Sequence, residues 1–290
     1  MGHEIQSRAL ASKLSNKIQV HHCTLRQPWL SFAPRILPRF GKNIIWKNKQ
    51  PDPSQIPDAI ITCGRRMAAI GKYYKRQFNC KHIQILNPGD SPRRYDALIC
   101  PEHDRISGKN TVTSKGSLHN ISNDFLAKIK CPDNISVDKN IVCLLLGNPA
   151  NDFFKELGKL AKQISQNFPN HCLMICGSRR TPKKYYSNIK NTFSKAHSIW
   201  LTESDGRNPY QALLAYSDVI LVTADSINMV SESCVTNNCV IAIGQNHISP
   251  KHQRFIASVK DRLSNFDNQK EMNEPLETLN DVVKKVKELL

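Results

Sequence analysis

Short apolar runs alternate with amphipathic stretches along this chain, the pattern of β-α units that build parallel sheets. Asp58 to Cys63 reads as a buried strand, Met67 to Arg76 as a helix, and His82 to Leu86 and Asp96 to Cys100 as two further strands. Ser107-Gly108-Lys109-Asn110 has the composition of a turn, and Lys130-Cys131-Pro132-Asp133-Asn134 that of a linker. A second series follows: strand Ile141 to Leu146, helix Asp152 to Gln166, strand Cys172 to Cys176, helix Lys183 to Phe193 and strand Ile199 to Leu201. It continues through helix Pro209 to Tyr216, strand Val219 to Thr223, helix Ile227 to Thr236 and strand Val240 to Ile243, a nearly complete doubly wound domain. From Pro275 to Leu290, apolar Leu276, Leu279, Val282, Val283, Val286 and Leu290 recur at helical spacing, so this helix needs a surface to dock on. The pattern predicts two Rossmann-like α/β domains, residues 1–130 and 138–265, with the helix at 275–290 returning to the first. Strand carboxyl ends then face a cleft between the domains, where ligands of such sheets bind.

Composition narrows this picture. At 290 residues the chain has a soft prior of about two domains. Its 40% apolar content and mean hydropathy of -0.44 are those of a globular protein. No stretch approaches the ~18 to 20 apolar residues of a membrane span. The opening Met1-Gly2-His3-Glu4 lacks the features of a signal peptide, so the expected location is cytoplasmic. Ten cysteines are scattered without a CxxC pair, and several lie in apolar runs such as Ile141-Val142-Cys143-Leu144, as buried free thiols of a reducing compartment do. The charge is less ordinary: 41 Lys and Arg against 24 Asp and Glu give +17, which favours nucleic acid, phosphorylated metabolites or an acidic membrane surface. Residues 1–50 hold nine of the cations and one acid, Glu4.

The stretch Thr223-Ala224-Asp225-Ser226-Ile227-Asn228, where a strand gives way to a helix, carries candidate chemistry. Asp225 or Ser226 can cap the helix, and the free N–H groups of its first turn can hold a phosphate. A capping box does not account for Glu232, six residues after Ser226. A carboxylate near a phosphate site suits a ribose diol; the alternative is a solvated Glu232 on a capped helix.

The run Asp205-Gly206-Arg207-Asn208-Pro209-Tyr210 through Ala215-Tyr216-Ser217-Asp218, then Thr223 to Glu232, resembles the signature of the mitochondrial fission protein family. Gly2-His3-Glu4-Ile5-Gln6-Ser7, Pro101-Glu102-His103-Asp104 and Ser178-Arg179-Arg180-Thr181-Pro182 agree, so the resemblance spans nearly the whole chain. Such proteins look like GT-B glycosyltransferases, above all the enzyme that adds N-acetylglucosamine to a lipid-linked peptidoglycan precursor. The resemblance implies Ser226, Ile227 and Asn228 at a diphosphate, with Glu232 on the ribose. Gly147-Asn148-Pro149 takes the place of the phosphate turn, although it has one glycine where such turns have two or three. Ser178, Arg179 and Arg180 follow the next strand and either bind phosphate or stand solvated; Asn208 and Tyr210 either sit near the base or cap and pack the following helix.

Inverting sugar transfer needs a base on the acceptor side, and no metal or other cofactor is obligatory if dipoles and Arg stabilise the departing diphosphate. The resemblance makes His3 the first candidate and Glu4 the second, within a glycine-containing loop. Related chains have a strand before that loop, so the first domain is expected to lack its first strand, either because the true start lies upstream or because this copy has decayed. Glu102-His103-Asp104 fits an exposed strand-end turn better than a metal site, since adjacent side chains on an extended segment point to alternate sides. Between residues 21 and 40, Trp29, Leu30, Phe32, Ile36, Leu37 and Phe40 mix with Arg26, Arg35 and Arg39, as in a loop touching an anionic membrane or in an ordinary packed connection. Three functions follow: a glycosyltransferase using a nucleotide-sugar on an acceptor that a lipid carries, at the inner face of a membrane; a non-enzymatic membrane-peripheral scaffold; and nucleic-acid binding, which rests on charge alone and ranks last.

Overall fold

The computed structural model describes residues 2–35, 41–48, 50–132, 140–269, 275–276 and 278–290. Ile36, Leu37, Arg39 and Phe40 of the basic apolar segment, and Asp133 and Asn134 of the expected linker, lie outside them. The chain divides into two compact units, Met1–Asn120 with Thr278–Leu290, and Ile121–Glu277. The first boundary therefore falls at 120 rather than 130. Ile121, Phe125, Leu126 and Ile129 turn their apolar side chains into the core of the second unit, which also holds the segment after 265 because Leu276 is buried there.

The first unit opens with helix α1 (Gly2–Leu14). Next come an antiparallel pair, β1 (Cys23–Leu25) and β2 (Ile44–Trp46), and the short helix α2 (Trp29–Phe32) between them. Strand β3 (Ala59–Cys63), helix α3 (Arg65–Phe78), β4 (Lys81–Ile85), β5 (Ala97–Pro101) and β6 (Thr111–Ser114) complete a parallel sheet in the order β3-β4-β5-β6. Alternation along β5 shows how both faces are buried: Ala97 and Ile99 join one cluster, Leu98 and Cys100 another. The first face is covered by Ala9 and Leu10 of α1 and by Leu279, Val282, Val283 and Val286 of a C-terminal helix (Leu279–Leu289). Beyond the β3 edge no further strand pairs among the described residues; α1 packs beside that strand. The expected Gly-His-Glu loop is thus corrected. His3 and Glu4 lie in the first turn of a helix whose Gln6, Ala9 and Leu10 are buried.

A buried polar cluster pins β3 to β4. Thr62 Oγ1 donates to Gln84 Oε1 at 2.6 Å and lies 2.7 Å from His82 Nε2, so with its single proton committed it accepts from the ring. Burial holds the His82 ring neutral, its pKa pushed down to about 3. Trp29 and Leu30 pack against a cluster that includes Ala69, Ile70 and Tyr74 of α3, whereas Phe32 is 50% exposed.

The second unit is doubly wound. Helix α4 (Asn123–Leu126) leads to β7 (Ile141–Leu146), α5 (Asn151–Lys155), α6 (Leu157–Asn167) and β8 (Cys172–Gly177). Then come α7 (Tyr186–Thr192), β9 (Ser198–Trp200), α8 (Tyr210–Tyr216), β10 (Val219–Thr223), α9 (Ile227–Ser233), β11 (Cys239–Ile243) and α10 (Pro250–Ser258); the C-terminal helix of the first unit is α11. All five strands are parallel, in the order β11-β10-β7-β8-β9. Central β7 is buried throughout: Ile141, Cys143 and Leu145 face one cluster, Val142, Leu144 and Leu146 the other. Because the chain winds outward from β7 in both directions, the loops after β7 and β10 leave to opposite faces, and a crevice opens between them.

Candidate functional site

The loops after β7 and β10 are tied together by their own side chains. Gly147 N donates to Thr223 Oγ1 at 2.8 Å, and Asn148 N donates to Asp225 Oδ2 at 2.7 Å. Asp225 therefore braces the Gly147-Asn148 turn; it is Ser226 that caps α9, its Oγ accepting from Met229 N at 3.4 Å. From the loop after β8, Thr181 Oγ1 lies 2.8 Å from the carbonyl oxygens of both Leu146 and Gly147, and Ser178 Oγ lies 3.3 Å from the latter. Arg180 reaches across to donate to Ser226 Oγ at 2.9 Å, while Arg179 is exposed. Gly147, Asn148, Ser178, Arg180, Asp225 and Ser226 are thus brought together, and Thr181 is a member that its residue type did not announce. Ile227 and Asn228 are half-buried on the first turn of α9, where Ile227 packs against the core.

Glu232 lies on α9 with 6% of its surface exposed, so it is not the solvated residue of the bland reading. Tyr210, the first residue of α8, donates its hydroxyl to Glu232 Oε2 at 2.5 Å. Burial pushes the Glu232 carboxyl up to about 7, against the pull of that hydrogen bond, and burial with the adjacent carboxylate raises the tyrosine well above its ordinary value. Tyr210 is consequently a neutral donor. Asn208 Oδ1 accepts from Tyr210 N at 2.9 Å and so starts α8 as an Asx cap. Asn208 Oδ1 also accepts from Cys176 Sγ at 3.7 Å, and Tyr210 packs against the core, so their contacts are with the helix start, β8, the core and Glu232.

The two acceptor-side candidates lie in the first unit. The His3 ring rests on Gly64, where an added Cβ would come 2.7 Å from Cε1, and that glycine also has φ +84°. Gly64 N–H and C=O end β3, so His3 stands at the carboxyl end of its sheet. Partial desolvation by the contact with Gly64 lowers the His3 pKa, although the residue is exposed overall. Glu4 is different: Arg8 Nε donates to it at 2.8 Å and holds the carboxyl below its usual range, an i,i+4 surface pair. Glu4→Gln is therefore expected to change unfolding free energy by less than about 0.5 kcal/mol, measured by urea denaturation; a larger loss would place Glu4 in a tighter structural role.

Glu102–Asp104 is a 3-10 turn, but His103 is only 5% exposed, which corrects the expected exposed turn at that residue. Among the described residues no group of three His, Cys, Asp or Glu side chains is arranged to hold a metal. All ten cysteines are free thiols, seven of them buried. No described helix is long and apolar enough to cross a membrane.

Parallel sheets in both units, with a switch-point crevice in the second, define a Rossmann-like α/β protein of the GT-B class. A UDP complex of MnaA from S. aureus superposes with TM-score 0.53 at 11% identity, over 99% of this chain and 94% of that one. A putative UDP-N-acetylglucosamine 2-epimerase from Listeria monocytogenes gives 0.51 at 9% identity, over 80% and 66%. The chain belongs to the mitochondrial fission ELM1 family, which it matches over residues 1–290. It is 28% identical to the uncharacterized protein RP120 of Rickettsia prowazekii, over 88% of this chain and 84% of that one. It is 26% identical to the mitochondrial fission protein ELM1 of Arabidopsis thaliana, over 76% of this chain and 59% of the plant protein.

Proposed function

We propose that the protein binds a nucleotide-sugar in the second unit and is a glycosyltransferase that moves the sugar, with inversion, to an acceptor hydroxyl. The observation that carries this reading is Glu232, a carboxyl buried at an energetic cost on the helix that Ser226 caps and met by a single tyrosine hydroxyl. A ribose diol supplies the two hydroxyl donors that such a carboxylate accepts. Ser226 Oγ and the Arg180 guanidinium form a second polar point suited to the diphosphate, and the solved neighbours described as a UDP complex and a UDP-sugar epimerase support this donor class. His3 is the base in this scheme: it takes the acceptor hydroxyl proton as the oxygen bonds to the anomeric carbon and the nucleoside diphosphate departs with the bonding pair. No cofactor enters.

A panel of nucleotides and nucleotide-sugars followed by thermal shift tests this, on the wild type and on Arg180→Ala. One nucleotide-sugar is expected to stabilise the protein saturably, and the substitution to weaken it about five- to tenfold, as loss of one partly solvated charge-assisted bond implies. Absence of any stabilising nucleotide would overturn the reading. The alternative is a membrane-peripheral scaffold without transfer, favoured by the exposed Phe32 between Arg26 and Arg35.

A further inference from the structure

The first unit contains a cavity of about 490 Å³ lined by Lys72, Lys75, Arg76, Asn79 and Arg94. Helical periodicity puts Lys72, Lys75 and Arg76 on one face of α3, at i, i+3 and i+4, and Asn79 is the left-handed C-cap that ends the helix. Arg94 arrives from a different element, the 3-10 turn Pro92–Arg94 that precedes β5. The charges do not balance. Lys72 Nζ is held by Asp90 Oδ2 at 2.5 Å and by the Pro34 carbonyl at 2.6 Å, and Lys75 Nζ by Asp96 Oδ2 at 2.6 Å. Arg94 Nε stands 3.4 Å from Asp90, which Lys72 already occupies, and Arg76 has no carboxylate partner among the described residues. Both carboxylates also accept backbone N–H groups, Asp90 from Ser91 and Asp96 from His82, each at 2.7 Å. Four cations thus converge on two committed carboxylates, and one of the four, Lys72, is almost wholly removed from water at 5% exposure.

Complementing the carbonyl-rich end of α3 accounts for Lys75 and Arg76. It does not account for Arg94, which comes from a different element and shares Asp90 with Lys72. We infer that this cavity binds a phosphate monoester or diphosphate group, whose two negative charges match the surplus. The two guanidinium forks suit paired phosphate oxygens, the lysines add point charges, and the Asn79 amide supplies a neutral donor. Such a phosphate comes either from a soluble metabolite or from a lipid headgroup.

The test uses the full chain. Orthophosphate and pyrophosphate are titrated at constant ionic strength, with chloride as the balancing ion, and binding is read by thermal shift and amide chemical shifts. Saturable binding is expected, weakened about tenfold in Arg76→Gln/Arg94→Gln, whose side chains are exposed, and unchanged in Arg180→Ala, which separates this cavity from the second unit. Flotation with phosphatidylcholine vesicles, with and without phosphatidic acid, distinguishes the sources. Binding to phosphatidic acid vesicles that the double variant loses identifies a lipid headgroup; phosphate binding without vesicle binding identifies a soluble ligand. No saturable effect of either anion, or one that the double variant retains in full, overturns the proposal.

Discussion

Replacing Gly71 by alanine is expected to cost about 2 to 4 kcal/mol of unfolding free energy, although alanine is the better helix former by about 1 kcal/mol. Gly71 lies buried in α3 directly over His82, and an added Cβ would fall inside the van der Waals shell of ring atoms Nε2, Cε1 and Cδ2. The ring has little freedom to yield. Nε2 is bonded to Thr62 at 2.7 Å, and the face is packed edge-on against Tyr95 with centroids 5.1 Å apart. Moving it breaks a buried hydrogen bond as well as the packing of α3 on β4, and each loss has a cost of about 1 to 3 kcal/mol that the helical gain does not offset. Urea denaturation of Gly71→Ala, His82→Ala and the double variant checks this. The double variant should lose clearly less than the sum of the singles, because removing the ring makes room for the methyl group. Additive losses would mean that the collision is relieved elsewhere and that His82 does not hold α3 in place.

That contact shows where sequence reading stops. The alternation of apolar runs displays β3, β5 and all five strands of the second unit, since buried parallel strands are rich in apolar residues, whereas β4 shows only Ile83 and Ile85 between polar residues. Strand β6 is not visible in the same way: Thr111-Val112-Thr113-Ser114 contains one aliphatic residue and forms the sheet edge. Helix α1 is obscured for a related reason. Only Gln6, Ala9 and Leu10 are buried, too few for a periodic stripe, and the Gly-His-Glu opening resembles a loop. The single helix expected from 152 to 166 is interrupted at Glu156, whose backbone leaves the helical region with φ -98° and ψ 6°. At the site, Ser226 is legible because a cap residue between a strand and a helix has a local signature. The brace from Asp225 to Asn148 spans 77 positions and the Tyr210–Glu232 pair spans 22, and no local pattern encodes either. Glu232 could be singled out as unexplained by capping, but its burial could not be seen.

That burial sets up the most informative substitution, Glu232→Gln. The carboxyl has an ordinary value of 4.5 and is raised to about 7 in the folded protein, chiefly by burial. Its folded pKa lies above the unfolded one, so its contribution is fully present below about 4.5, is lost as pH rises through about 7, and is constant beyond. At pH 8 the wild type carries a buried carboxylate at a cost on the order of 1 to 3 kcal/mol that a neutral glutamine avoids. Glutamine keeps the shape and its amide oxygen still accepts from Tyr210. Glu232→Gln is therefore expected to be more stable than the wild type at pH 8 and equal to it at pH 4, by urea denaturation at both values. Donor binding should move the other way. A neutral amide offers a weaker acceptor to ribose hydroxyls than a carboxylate, so affinity for the stabilising nucleotide-sugar should fall about 10- to 100-fold at pH 8. Wild-type affinity should also rise between pH 6 and 8 while that of the variant stays flat. A variant that gains stability and keeps its affinity would remove Glu232 from the donor site; one that loses stability at pH 8 would show that the carboxylate serves the fold. Gained stability with lost affinity is the signature of a charge retained for its ligand, since folding alone would favour the amide.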